Sequence, residues 1–324
     1  MKIAIVVPCH IPPSEAWVAA LDAEARAHKA KVIIVDDSDG QLGELPKSWD
    51  VYGYEKQKKF LGELYEDFAR LFHKSSACRV FGHLVAYKNR NDVIIGLDSD
   101  CIVPTHFIRD HIQYIGKDYG SGWFNPIGYP DYSRGFPYSQ RHWKVVANMG
   151  LWKNVLDING KDRKDGEPTD IRLIGSTVPN GYFPFSGMNF ALARDAIWGF
   201  LFLPNFKDGD DHFRRIDDVW GGYIFQKLLR KLHQSTMVGF PIVYHDTVVD
   251  PKADAAEEEA MYKYEDQFIE TIDDVMNHVY TTSSSMKEAM LDFIHALGIY
   301  GNQPEFAELA PAFAWWAKVI KKYA

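Results

Sequence analysis

Three short apolar runs, each closed by a turn, constrain this chain more than any other feature. Residues 3–7 (Ile-Ala-Ile-Val-Val) stop at Pro8. Residues 31–35 (Lys-Val-Ile-Ile-Val) stop at the polar turn Asp36-Asp37-Ser38-Asp39-Gly40. Residues 93–97 (Val-Ile-Ile-Gly-Leu) run straight into Asp98-Ser99-Asp100. Continuous runs rich in β-branched residues read as buried strands. Between the first two, residues 14–28 place Trp17, Leu21 and Ala25 on one face at helical spacing. Strand, helix and strand with a short polar turn form a βαβ unit, which implies a parallel sheet. Residues 58–88 read as mostly helical, with Leu61, Leu64, Phe68, Leu71 and Phe72 at steps of three and four.

Residues 120–189 are different: rich in Gly, Pro, Tyr and Asn, without long periodic segments, and so expected to be functional loops. Residues 160–168 within them form a charged, breaker-rich tip. Helical pattern returns at 218–232, and residues 238–244 read as another strand. The tail is organised separately. Residues 255–280 form an acidic helical stretch. Ser285 and Glu288 fit a capping box opening a helix with Met286, Ala289, Met290, Phe293 and Leu297 on one face, ended by Gly298 or Gly301. Phe306, Leu309, Phe313, Trp316 and Ile320 mark a last helix. The expected division is an α/β domain over 1–250 and a helical appendage over 251–324 packed on it. These helices could also serve a homo-oligomer interface.

The 324 residues carry a formal net charge of −8. No basic run suits nucleic acid, and an acidic protein that holds an anion needs a local device, either a cation or a few placed arginines. The cysteines, Cys9, Cys78 and Cys101, are odd in number with no Cys-x-x-Cys spacing, so buried free thiols are expected. The first apolar run is too short for a signal peptide, and no stretch approaches the ~18 apolar residues of a membrane span. A soluble, cytoplasmic protein is expected.

The chemistry concentrates beyond strand ends. In open α/β sheets ligands sit past the carboxyl ends of strands. Asp98 and Asp100 there can share a hard divalent ion that also takes diphosphate oxygens. Asp36 and Asp37 end the second strand at the same edge; they are either turn formers or acceptors for a uracil N–H or a ribose hydroxyl. Arg134 and Arg141, seven residues apart in a loop, match phosphate oxygens or are plain surface arginines. Asn189, after the turn 183–188, could hold sugar hydroxyls or its own turn. Asp217 and Asp218 could cap a helix or face the sugar, with Trp220 as a wall. His245, just past a strand, is acceptable as a third metal ligand.

Taken in order, residues 76–82, the Asp98–Asp100 triplet, 134–141, 150–152, 183–189, 215–221 and 239–245 resemble the reversibly glycosylated polypeptide family, whose plant members include UDP-arabinopyranose mutases. The match in order and rough spacing covers about residues 75 to 251. The resemblance implies a GT-A-like α/β sandwich, a site dependent on Mn²⁺ or Mg²⁺, and interconversion of the pyranose and furanose forms of UDP-arabinose. It implies that Arg134 is reversibly glycosylated and that Arg141 takes part in activity. Through the matched blocks it adds Arg79, Trp152 and Ser186 to the substrate-binding candidates. Ser99 stands where the family usually has a third acid, and Ser186 where a cysteine is common. As the middle of the triplet, Ser99 is expected to point away from the metal. Physically, a guanidinium is a poor nucleophile, so Arg134 or Arg141 is expected to clamp the departing diphosphate while Asn189, Asp217 and Asp218 hold the sugar. Two other readings stand beside this one: a retaining UDP-sugar-dependent glycosyltransferase with a separate acceptor, such as a glycan or modified base, and a non-catalytic UDP-sugar-binding subunit.

Overall fold

The βαβ unit forms as β1 (Ile3–Cys9), α1 (Glu15–His28) and β2 (Lys31–Asp36). Ser14 opens α1 by accepting the Trp17 N–H at 3.2 Å, and Lys29 closes it in the left-handed conformation. The short β3 (Asp50–Tyr52) edges the sheet. The long helical stretch is in fact divided into α2 (Tyr54–Leu61), α3 (Tyr65–Phe72) and α4 (Arg79–Lys88). The break at residues 73–75 centres on Lys74, whose φ of 59° no helix accepts. There follow β4 (Val93–Leu97), β5 (Cys101–Ile102), α5 (Phe107–Ile112), β6 (Lys144–Asn154), β7 (Asn189–Ala193) and the small hairpin β8 (Phe206–Asp208) and β9 (Asp211–Phe213). Then come α6 (Val219–Lys231), β10 (Gln234–His245), α7 (Pro251–Glu257), α8 (Glu259–Asn277), α9 (Met286–Tyr300) and α10 (Ala310–Tyr323). This computed structural model describes residues 1–38, 40–123, 131–155, 158–162, 182–248, 250–279, 285–301 and 303–324, so most of the 160–168 tip lies outside the described residues.

The main sheet runs β3-β2-β1-β4-β7-β6-β10-β5. Strands β3, β2, β1 and β4 are mutually parallel, β7 runs against both β4 and β6, and β10 is parallel to β6. The carboxyl ends of β1, β2, β4, β6 and β10 therefore share one edge. This is a mixed α/β sandwich of the GT-A-like kind with C-terminal helices.

β6 lies inside the stretch expected to be loop. Its apolar pattern is interrupted by Asn148 and Gly150, yet Asn148 is buried and satisfied: its amide donates to the Phe240 carbonyl and meets His111 Nδ1, both at 2.9 Å. The sheet is covered on one face by α1 and α5 and on the other by α4 and the C-terminal helices. Residues beyond 250 share the latter core: Trp316 Nε1 donates to Trp198 O, Trp315 Nε1 donates to Leu64 O, both at 3.0 Å, and Trp220 stacks on Phe268 at 4.1 Å. Among the described residues no helix is long and apolar enough to cross a membrane.

Candidate active site

A cavity of about 370 Å³ opens at the shared carboxyl edge. That volume suits a small ligand. Its floor is the end of β1 (Pro8, Cys9, His10), one wall is the segment between α3 and α4 (Lys74, Ser75, Ser76, Cys78, Arg79), and another is the turn Asp98-Ser99-Asp100. Ser99 also lines the cavity and bonds the Cys9 thiol. Burial pushes that thiol up to about 12, so it stays protonated. All three cysteines are free and buried, as expected.

Arg79 organises the walls. It is 2% exposed. Its Nη2 donates to Asp98 Oδ1 at 2.7 Å, its Nε to Ser76 O at 3.0 Å, and its Nη1 to Gly187 O, while the guanidinium lies over the Phe202 ring. A buried guanidinium bound on three sides is a brace, and Arg79 holds Asp98 in place. Burial raises the Asp98 carboxyl above the ordinary range, against the pull of Arg79 and with the push of Asp100.

Asp100 lies at the other end of the turn, its Oδ2 3.4 Å from His245 Nε2. His245 Nδ1 is 2.9 Å from the Val155 carbonyl and so carries a proton. In the neutral ring, Nε2 then presents a lone pair toward a carboxylate oxygen, an arrangement that needs a second ring proton or a metal cation between them. Burial raises Asp100, but contact with His245 outweighs it and holds the acid below the ordinary range. The donor chemistry of Asp98, Asp100 and His245 therefore fits a divalent cation. Among the described residues no group of three or more His, Cys, Asp or Glu converges to hold an ion unaided. A cation here would draw its remaining ligands from diphosphate oxygens and water, as hard divalent ions commonly do.

Several other candidates fall elsewhere. Asp36 bonds the Ser38 N–H and hydroxyl at 2.9 and 2.6 Å, a side-chain turn, and does not line the cavity. Asp37 lines it, but its carboxylate accepts the Lys74 N–H at 2.5 Å and the Tyr54 hydroxyl at 3.2 Å, so it mounts the neighbouring wall. Asn189 is corrected from sugar ligand to fold element: it is fully buried, its amide donates to Leu151 O and Pro241 O at 2.9 Å, and its oxygen meets His111 Nε2 at 2.8 Å. Trp220 is likewise corrected, since its ring is 1% exposed and packed on Phe268. Asp218 caps α6 by accepting the Val219 N–H at 2.9 Å and holds the Gly187 N–H at 2.6 Å; Asp217 accepts the Ser76 hydroxyl at 2.6 Å. Neither lines the cavity; they brace the loops that Arg79 also binds. Ser186 is buried, with its hydroxyl accepting the Met188 N–H at 3.3 Å, and Trp152 packs its half-buried ring on the core beside α1 and α5.

The two arginines are the largest displacement. Arg134 is exposed in the loop leading into the amino end of β6, the sheet edge opposite the cavity. Arg141 is folded into that loop, donating to Phe136 O at 2.7 Å and lying over Tyr138 at 4.0 Å and Tyr132 at 4.7 Å. Neither lines the cavity. Lys74, a lining residue, is one that sequence reasoning did not single out. Its only signal was the polar tetrad His73-Lys74-Ser75-Ser76 inside an otherwise helical pattern.

The family model for reversibly glycosylated polypeptides matches residues 11–324. Among curated protein sequences none matches the chain.

Proposed function

This chain belongs to the reversibly glycosylated polypeptide family, and from that premise we propose that it is a metal-dependent UDP-sugar mutase that interconverts the pyranose and furanose forms of UDP-arabinose. The observation that carries this reading is the cavity at the carboxyl edge, with Asp98 and Asp100 on its rim and His245 beside Asp100. Asp98, Asp100 and His245 would hold the cation, and an imidazole nitrogen among the donors suits Mn²⁺ better than Mg²⁺. When bound, the ion supplies positive charge against which the diphosphate can leave.

The chain's own residues provide the rest. Arg79 fixes the rotamer of Asp98 from behind, and Asp217 and Asp218 fix the loops that carry Arg79's other contacts. The bond between sugar C1 and the diphosphate breaks with its electron pair on UDP. The ring oxygen changes from O5 to O4 with transfer of a proton between them, and UDP adds back to C1. The narrow cavity keeps the freed sugar near UDP long enough for recapture.

The test is NMR of the nucleotide pool after incubation with UDP-arabinopyranose and Mn²⁺. Appearance of UDP-arabinofuranose supports the mutase. Stoichiometric release of UDP with the sugar on another acceptor replaces it with a transferase, and binding without any turnover replaces it with a non-catalytic subunit.

A further inference from the structure

With Arg134 and Arg141 at the far edge, few positive charges face the cavity. Arg79 lines it, but its guanidinium is bound to Asp98, Ser76 O and Gly187 O. Among the described residues the other lysine or arginine of the lining is Lys74. Lys74 is exposed, so its ammonium is free to turn toward a ligand.

The backbone at Lys74, like that of Lys29 at the end of α1, is left-handed. Its φ is 59°, in the left-handed region where a turn without other duties would carry glycine or asparagine. Surrounding contacts hold it there. Asp37 Oδ2 accepts the Lys74 N–H, Tyr54 donates to Asp37 Oδ1, and the Tyr54 ring stacks on His73 at 4.4 Å. Gln57, fully buried, meets His73 Nε2 at 2.9 Å and anchors it to the end of β2 by donating to Asp36 O at 3.1 Å. A strained residue held this firmly at the mouth of a ligand cavity is a candidate for function.

We propose that Lys74 is the diphosphate-binding cation of this site and the residue that makes it prefer a nucleoside diphosphate over the nucleoside. The inference rests on the reading of the cavity as a UDP-sugar site. An ammonium on a flexible stem meets phosphate oxygens as a point charge, so it can follow the diphosphate as the sugar leaves.

Calorimetric titrations of UDP and of uridine, both with Mn²⁺ present, test this on the wild type, Lys74→Gly and Lys74→Arg. Lys74→Gly removes the charge and also suits the left-handed backbone, so its Tm should be unchanged or higher. Its UDP affinity should fall on the order of tenfold to a hundredfold while uridine affinity holds, and Lys74→Arg should keep most of the UDP affinity. Unchanged UDP affinity in Lys74→Gly overturns the proposal. An equal loss for UDP and uridine also overturns it, since Lys74 would then only shape the wall. A wild type that binds neither ligand instead removes the UDP-sugar reading itself.

Discussion

At the scale of single residues, the site is built on charge held in place by burial. Arg79 and Asp98 form a pair in which one partner is almost wholly enclosed. Removing one member of such a pair leaves the other uncompensated, at a cost of about 3–5 kcal/mol. Arg79→Met should lose stability of that order in urea melts. Arg79→Lys, keeping the charge but not the three-sided fork, should lose less and still bind UDP weakly. Equal stability of Arg79→Met and wild type would show that the pair contributes nothing net. Two buried histidines predict a pH dependence. Burial lowers His83 and His111 to about 3 from an ordinary 6.5. Each stays neutral when folded and takes up a proton when unfolded, so its contribution is intact above the unfolded value and is lost as pH falls from 6.5 toward 3. At pH 5 each should cost roughly 2 kcal/mol. His83 lies between the Phe190 and Phe202 rings, and neither ring nitrogen has a partner. His83→Leu should therefore narrow the stability gap between pH 7.5 and pH 5, and an unchanged gap would assign the acid sensitivity to other groups.

At the scale of elements, what the sequence revealed was set by local pattern. β1, β2 and β4 are uninterrupted apolar runs and were legible almost to the residue, as were α1 and α9 through their serine caps. β6 was hidden because its buried polar residue, Asn148, is satisfied by His111 and by the Phe240 carbonyl, partners that no local pattern reveals. The same holds for the site. The placement of Asp98 and Asp100 at the carboxyl edge was legible because they follow β4, and that of His245 because it ends β10. Asn189 and Trp220 were misplaced because an amide or a ring reads alike whether it faces a ligand or the core. The break between α3 and α4 was missed because long-range bonds to Asp37 and Gln57 stabilise it. α4 is itself seated by a glycine. A Cβ at Gly82 would lie 2.3 Å from Val6 Cγ1 and 2.8 Å from Val35 Cγ2. Gly82→Ala gains about 1 kcal/mol of helix propensity but overpacks the helix against β1 and β2, at about 1–3 kcal/mol. The expected result is a lower Tm together with weaker UDP binding, because Arg79 begins the same helix. A raised Tm would mean the contact relaxes freely.

At the scale of the whole molecule, the sheet separates two features that the family resemblance brings together. The cavity lies at the carboxyl edge, whereas Arg134 lies in the loop that feeds the amino end of β6. β6 has eleven residues, so its ends are roughly 30 Å apart at about 3.3 Å per residue. The described residues of the loop, 131–143, fold on themselves. Phe136 is buried, its N–H bonds Ser133 O at 3.1 Å, and Arg141 stacks on the loop's own rings. On this placement, a sugar carried on Arg134 is expected to come from the cavity of another copy. Two variants separate the possibilities: Asp100→Ala disables the cavity but keeps the arginine, and Arg134→Ala keeps the cavity but removes the arginine. Incubated alone with labelled UDP-sugar and Mn²⁺, neither should acquire label. Mixed, they should label the Asp100→Ala chain, which a size tag would distinguish on a gel. The initial rate of wild-type labelling should rise faster than linearly with protein concentration. A wild-type rate strictly proportional to concentration, with no label in the mixture, would mean that Arg134 reaches the cavity of its own chain and that the loop leaves the position described here.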